Sequence, residues 1–556
     1  DRLLFSKGHA APLFYAMYAV AGAMPLAELQ TLRKFGSRLE GHPTPEFPYT
    51  DAATGSLGQG LSIGGGMAYT IKNLRLKTKK TPRVYVLLGD GELAEGQVWE
   101  AANFASHYRL NNLIAIADIN RLAQSQETMF GHHLEQYQHR FKAFGFETIV
   151  IDGHDFAEIK RALDTAQKVQ GQPVAIIMKT FKGKGVSFLQ NAEGWHGKAL
   201  KKDELEQALQ ELGPVDETLR FNLKQPPQVT LGKARLSKNH LVFDFKKGDM
   251  VATREVYGKI LAQLGNKDQT IYALDGDVKN STFSQDFLKA HPNRFIECFI
   301  AEQNMVSVAA GLSRLSQKPF VSTFAAFLTR AADQIRMAAL SQASIHFVGS
   351  HVGVSIGEDG ASQMGLEDIS LFGTIPQSIV LQPSDAVSAA YLLRAMIAHR
   401  GISYMRTLRP KTPVMYDEDE EFEIGGSKVL KSSKKDSLTI AATGITVQEA
   451  LKAQEILSKE GISVRVIDCY SIKPVDKDGL LASLKATQKK IIVTVEDHFE
   501  HGGFGDFVLA AVSGSGAIVA KMAVDHISRS GTKDELLADA RIDSAAIVQK
   551  VKNLLD

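Results

Sequence analysis

At 556 residues the chain is too long for one hydrophobic core, so two to four domains are expected. Apolar residues make up 44% and charged residues 23%, the balance of an ordinary soluble globular protein. With 64 basic against 62 acidic side chains the formal charge is +2, which excludes a global field that recruits nucleic acid or an anionic membrane; phosphate recognition must come from a local cluster.

The amino end, "DRLLFSKGHAAP", reads as a strand and turn over residues 1–9, with no initiator Met and no signal-peptide pattern. Next come "RVYVLLGD" as a strand and "EGQVWEAANFASHYRL" as a helix. "NLIAIADIN" and "FETIVIDG" follow as strands, then "DFAEIKRALDTAQKVQ" as a helix and "PVAIIMKT" as a strand. Such alternation predicts a parallel sheet with helices on both faces. Residues 1–200 form this first domain, and 201–249, including "KQPPQVTLGKARLSKNH", read as a linker. A second α/β unit spans 250–415 with "TIYALDGD", "FIECFIAEQN" and "IHFVGSHVGVSIG". The acidic "YDEDEEFEIGG" marks a solvated boundary, and 425–556 forms a smaller α/β domain with "SLTIAATG", "ISVRVIDCY" and "KKIIVTVEDH". The expected architecture is three α/β domains. Cys298 and Cys469 lie in strand-like runs with neither metal nor disulfide spacing, and a reducing, cytoplasmic compartment is expected. No apolar run approaches the roughly 20 residues that span a bilayer.

"LLGDGELAEGQVWEA" ends a buried strand in a carboxylate between Gly89 and Gly91. Ligands of open parallel sheets sit beyond the carboxyl ends of strands. Asp90 lies at one such end and Asn120 ends the neighbouring strand, while the carbonyl of Leu122 can supply a third oxygen. Hard oxygen donors of this kind suit Mg²⁺, which shares its remaining positions with phosphates and water. By spacing alone the same residues also fit a Gly-Asp-Gly turn with an unrelated Asn.

Other candidates have equally plain readings. Glu302 opens "EQNMVSVAAGLSRL" and can simply be a helix-start carboxylate. Phe324 and Phe327 are three apart, can share a helical face, and by pattern read as core. His9, His42, His196 and His351 sit in polar, glycine-rich contexts whose spacing does not resemble a zinc site.

The combination "GDGELAEGQVWEA…IADIN" resembles the diphosphate-and-magnesium motif of thiamine diphosphate enzymes. "SKGHAAP", "DAATGSLGQGLS", "KTFKGKG", "WHGK", "LDGDVKNST", "AEQNM", "STFAAFLTRAADQIR", "GSHVGVSIGEDG" and "VEDH" resemble transketolase in the form found in animals, in the family's order along essentially the whole chain. The resemblance implies a pyrophosphate-binding domain, a pyrimidine-binding domain and a C-terminal domain, with active sites at a homodimer interface. It implies transfer of a two-carbon ketol unit from a ketose phosphate of the xylulose 5-phosphate type to an aldose phosphate of the ribose 5-phosphate type. The cofactors implied are thiamine diphosphate and Mg²⁺, with Ca²⁺ or another divalent cation able to substitute.

The same resemblance assigns roles. Asp90, Asn120 and Leu122 would hold the metal. Glu302 would be the proton donor to the cofactor's aminopyrimidine, with Phe324 and Phe327 packed around that ring, and Glu95 would pair with its counterparts across the dimer. His9 and Lys182 would face the cofactor's diphosphate; Gly55, Ser56, Leu57, Gly91, Glu92, Asp277 and Gln363 complete the expected cofactor contacts. Microbial members typically carry His at the position of Gln363. His42 and His196 would serve the donor sugar's carbonyl and hydroxyls, His196 also touching the cofactor. Arg254, Ser281, His351 and Arg409 match the family's sugar-phosphate site, and Asp359 would accept a sugar hydroxyl.

Family members have several dozen residues ahead of "SKGHAAP", including a Gly-His-Pro segment with an active-site histidine, so the resemblance implies a shortened first domain. Two further readings stand beside the working transferase: a transketolase-like binding or regulatory protein with little turnover, and another thiamine diphosphate synthase such as the one making deoxyxylulose phosphate.

Overall fold

A computed structural model of the protein describes residues 1–74, 81–216, 218, 221, 223 and 241–556. The stretch "KQPPQVTLGKARLSKNH" of the expected linker lies outside the described residues. The chain forms two compact units. The first comprises Asp1–Gly232, Gln303–Ser316 and Asp333–Gln342; the second comprises Lys233–Glu302, Gln317–Ala332 and Ala343–Asp556.

In the first unit, β1 (Arg2–Phe5), β2 (Val84–Gly89), β3 (Leu113–Ile119), β4 (Glu147–Asp152) and β5 (Val174–Lys179) make one sheet in the order β1-β2-β3-β5-β4. All four pairings are parallel. The near-continuous apolar runs of β2, β3 and β5 follow from burial on both faces. Helix Gly60–Asn73 lies directly on β2: a Cβ at Gly64 would meet Val86 Cγ2 at 2.5 Å. The same helix meets helix Glu302–Arg314 backbone to backbone. A Cβ at Gly66 would lie 2.2 Å from the Val308 carbonyl oxygen, and one at Gly311 would lie 2.2 Å from that of Ile63. Only hydrogen at both positions permits this approach.

Among the described residues the second unit holds a seven-stranded, a five-stranded and a two-stranded sheet. Strands β7 (Ile271–Asp275), β8 (Phe295–Glu297), β9 (Lys318–Phe324), β10 (Ile345–Ser350), β11 (Ile379–Leu381) and β12 (Ile402–Arg406) run parallel. A seventh strand, β17 (Ser471–Lys473), adds antiparallel to β11, giving the order β17-β11-β12-β10-β9-β7-β8. Two short strands, β6 (Met250–Val251) and β13 (Thr412–Pro413), pair separately. The last sheet has the order β14-β16-β15-β18-β19, from β14 (Lys428–Lys431), β15 (Thr439–Ala442), β16 (Arg465–Asp468), β18 (Ile491–Phe499) and β19 (Ile518–Val524). It is parallel except for β14. Three α/β layers are therefore present, as expected.

Three local features depart from the expectations or add to them. The linker opens with a helix, Lys202–Leu212, whose Leu205, Leu209 and Leu212 recur at helical spacing and whose start is tied by the Glu204 carboxylate accepting the Lys201 N–H at 2.7 Å. "IHFVGSHVGVSIG" is a strand only to Ser350; positive φ at His351, Gly353 and Gly357 turns the rest into a loop. Phe324 ends β9 while Phe327 lies in the 3₁₀ turn Ala325–Ala331, so the two share no α-helix. Among the described residues no helix is long and apolar enough to cross a membrane.

Candidate active site

The carboxyl ends of β1, β2, β3 and β5 bring together most of the first unit's candidates. Lys7 follows β1, and its aliphatic stem crosses the end of β2, where a Cβ at Gly89 would lie 3.6 Å from Lys7 Cδ. The ammonium reaches Asp118 of β3 at 2.5 Å. Burial pushes the Asp118 carboxyl up, but Lys7, Thr180 and Asn120 outweigh it and hold it below its ordinary value. Neither Lys7 nor Asp118 was expected; the signal was an aspartate inside the apolar run "LIAIADI", which needs a cation.

Asp90 is buried, 6% exposed, and accepts the N–H of Gly91 at 2.9 Å and of Arg121 at 2.6 Å. This second bond ties the end of β2 to the loop after β3. Burial pushes Asp90 upward against the attraction of Lys7 and those two N–H groups. Asn120 is buried, donates to Asp118 at 3.4 Å, and accepts the Leu122 N–H at 3.2 Å. The Leu122 carbonyl accepts the Lys182 ammonium at 2.9 Å, and Lys182 lies 3.2 Å from His196 Nδ1. The loop carbonyl is therefore already in contact with a cation. A divalent ion fits the chemistry of a buried carboxylate, an amide and a carbonyl on adjacent strand ends.

Around this set lies a cationic, imidazole-rich cluster. His9 and His196 have ring centroids 4.6 Å apart. Burial, then Lys7, His196, Lys182 and His42, push His9 down to about 4. His196 is lowered by burial and by Lys182 and Lys7. Lys182 is lowered by burial and by Lys7, with Asp90 and Asp118 opposing. Neutral imidazoles beside two lysines form a concentrated set of donors for a diphosphate. The exposed His42 ring lies against Gly55, whose φ is +128° and where a Cβ would come within 3.1 Å of the ring. Ser56 donates to Asp333, which also accepts Gln59 Nε2 at 2.7 Å. Leu57 and Gly91 are exposed. Glu92 turns inward: it is buried and accepts Ser6 Oγ, the Gly58 N–H at 2.9 Å and the Gly89 N–H at 3.1 Å, locking the turn. Glu95 is exposed at the start of helix Gly96–His107.

In the second unit, Phe324 and Phe327 stack at 5.1 Å and 12°, and Phe324 also stacks on His351 at 3.7 Å. Glu302 is 4% exposed, with Arg330 NH1 3.4 Å from its Oε2. Arg254, Ser281, His351 and Arg409, from four separate segments, lie near one another. Arg254 NH1 donates to the Ser281 carbonyl at 3.0 Å and lies 3.4 Å from His351 Nε2. Arg254 Nε is buried without a hydrogen-bond partner. Burial and Arg409 lower the Arg254 guanidinium, and burial with Arg254 and Arg409 pushes His351 down to about 3, so its imidazole is neutral. Arg409 NH1 lies 3.4 Å from Asp359 and donates to the Ile356 carbonyl. The Leu408 N–H donates to Thr253 Oγ1 at 2.7 Å, which fixes the two arginine-bearing segments against each other. Asp277 is exposed on a left-handed turn after β7, and Gln363 closes the 3₁₀ turn Ala361–Gln363.

Three domain families match the chain: the transketolase thiamine diphosphate binding domain over residues 1–233, the transketolase pyrimidine binding domain over 249–415, and the transketolase C-terminal domain over 427–547. Transketolase of Mus musculus is 49% identical over 559 residues, covering 100% of this chain and 89% of that protein. The chain belongs to the transketolase family. Its function is that family's ketol transfer, and it is a transferase. Transketolase of Homo sapiens is also 49% identical, with the same coverage. The fold agrees: transketolase from Leishmania mexicana superimposes with a TM-score of 0.87 at 22% identity, over 100% of this chain and 89% of that one. As a transketolase the chain carries a thiamine diphosphate-binding domain in its first unit.

Proposed function

We propose that this chain moves a two-carbon ketol unit from a xylulose 5-phosphate-type donor to a ribose 5-phosphate-type acceptor, using thiamine diphosphate held with Mg²⁺ or a substituting divalent cation such as Ca²⁺. The observation that carries the proposal is the set at the sheet end: the buried Asp90 carboxylate, Asn120 and the Leu122 carbonyl beside Lys182, His9 and His196. In this reading Asp90, Asn120 and Leu122 hold the cation, and His9 and Lys182 hold the diphosphate, with Gly55, Ser56, Leu57, Gly91, Glu92, Asp277 and Gln363 as further cofactor contacts. When bound, thiamine diphosphate supplies the nucleophilic carbon and the electron sink for carbon–carbon cleavage and formation.

The chain's own residues bind, orient and move protons. Glu302 would be placed to donate a proton to the aminopyrimidine when the cofactor is bound, and Phe324 and Phe327 would pack against that ring. His42 and His196 exchange protons with the sugar's carbonyl and hydroxyls. Arg254, Ser281, His351 and Arg409 hold the sugar phosphate, the arginines through planar forks suited to its oxygens. Asp359 accepts a sugar hydroxyl. Glu95 acts across a homodimer interface in the cytoplasm, and residues 1–200, 250–415 and 425–556 are the three domains, joined by 201–249 and serving a pentose phosphate pathway.

Titration calorimetry of thiamine diphosphate with Mg²⁺ on the wild type and Asp90→Asn tests this reading. The wild type should bind only when the cation is present, and the variant should lose at least tenfold in that cation-dependent affinity. Equal affinity in the two proteins contradicts the assignment of Asp90.

A further inference from the structure

One residue of the sugar-phosphate set, Arg409, donates to a loop that is itself held by the last sheet. Residues 353–357, "GVSIG", follow His351 and precede Asp359. Asp497, on β18, is fully buried; its Oδ1 accepts the Val354 N–H at 2.7 Å and its Oδ2 the Ser355 N–H at 3.1 Å. Gly353, at φ +76°, packs against the same carboxylate so closely that a Cβ there would lie 2.0 Å from Asp497 Oδ2. The next carbonyl along, that of Ile356, accepts Arg409 NH1. On its main-chain side Asp497 is fixed as well, since its carbonyl accepts Arg406 NH2 at 3.1 Å from a guanidinium that also forks onto Asp368. Asp497 makes no direct bond to Arg409, and Arg409 has competing acidic neighbours, Asp359 at 3.4 Å and Glu358 at 3.7 Å.

We propose that Asp497 is the positioning residue for the phosphate-binding arginine: it fixes the 353–357 loop through two backbone N–H groups, and the loop's Ile356 carbonyl keeps Arg409 presented to the sugar phosphate. Two hydrogen bonds from successive N–H groups to one buried carboxyl group hold the loop in place, so the guanidinium is aimed before substrate arrives. Without the carboxylate the loop loses both anchors and Arg409 is left to its acidic neighbours. The C-terminal sheet thereby determines preference for phosphorylated sugars while touching neither sugar nor cofactor. This inference rests on the reading of Arg254, Ser281, His351 and Arg409 as the sugar-phosphate site.

The test compares xylulose 5-phosphate with xylulose as donors, each with the unphosphorylated acceptor glycolaldehyde, in the full chain loaded with thiamine diphosphate and Mg²⁺. The readout is the ratio of the two kcat/KM values, which cancels any loss of folded enzyme. In Asp497→Asn the ratio should fall about tenfold through KM for the phosphorylated donor, with kcat within twofold; a general structural defect would lower both donors together. Gly353→Ala reaches the same carboxylate from the opposite side and should lower the ratio too, which keeps the proposal testable if Asp497→Asn does not fold. Arg409→Ala separates the two levels. If Arg409→Ala lowers the ratio and neither Asp497→Asn nor Gly353→Ala does, the positioning role of Asp497 is overturned. If Arg409→Ala itself leaves the ratio unchanged, the phosphate site is wrong and the proposal falls with it.

Discussion

Glu302 and Asp90 show how little of a residue's role is visible in its letter alone. Glu302 is buried at the first position of its helix with a single arginine contact, at 3.4 Å. Gln has the same shape and can still accept from Arg330, but it has no acidic proton to give. Glu302→Gln should therefore reduce transfer by about 10²–10⁴-fold while the thermal midpoint stays within a few degrees; near-wild-type turnover would remove Glu302 from the mechanism. At the residue level a chemical group that ends a strand was legible, as with Asp90 after β2 and Asn120 after β3; Arg254 and Ser281 lie in helices and were read from the family resemblance alone. It was not legible where a charged group is spent on the protein itself. Glu92, read as a cofactor contact in "GDGE", keeps its side chain on Ser6 and two backbone N–H groups, which leaves its main chain for that contact. Lys7 meets Asp118 from 111 residues away, a pairing set by strand order rather than by any local pattern.

Two elements carry predictions of their own. The crossing of helices Gly60–Asn73 and Glu302–Arg314 depends on Gly66 and Gly311 facing carbonyl oxygens at a distance no Cβ can occupy. Gly66→Ala should destabilise the protein by about 1–3 kcal/mol or more, the usual cost of overpacking; an unchanged urea midpoint would show that the helices part without cost. Strand β10 carries the buried His346, whose Nδ1 lies 2.8 Å from Ser403 Oγ. Burial, then His399 and Lys318, push His346 down to about 3 from an ordinary 6.5. Between those values the unfolded chain binds a proton that the folded chain does not. The stability contribution is therefore complete above about pH 6.5 and is lost as pH falls toward 3. Replacing His346 by Gln should make the acid limb shallower by one proton, about 1.4 kcal/mol per pH unit, in urea unfolding between pH 4 and 7. Parallel limbs would contradict a neutral buried imidazole. Strands and helices themselves were legible because apolar runs and helical periods are local. The antiparallel edge β17 was not, because "SIK" carries no sign of the strand it will join, and the 3₁₀ turn after Phe324 broke a periodicity that looked helical.

For the whole molecule, the three sheets of five or more strands among the described residues match a three-domain sequence pattern because each α/β layer is specified by its own alternation. The extra coupling comes from single residues, such as Asp497 of the last sheet holding the loop whose Ile356 carbonyl accepts Arg409. In the proposed function these parts together perform ketol transfer dependent on thiamine diphosphate and a divalent cation. The most direct measurement is the release of glyceraldehyde 3-phosphate from xylulose 5-phosphate and ribose 5-phosphate, after chelation and then with thiamine diphosphate and Mg²⁺ restored. The account predicts no release from the stripped protein and full release once both are returned. Well-folded protein that releases nothing with both present would contradict it.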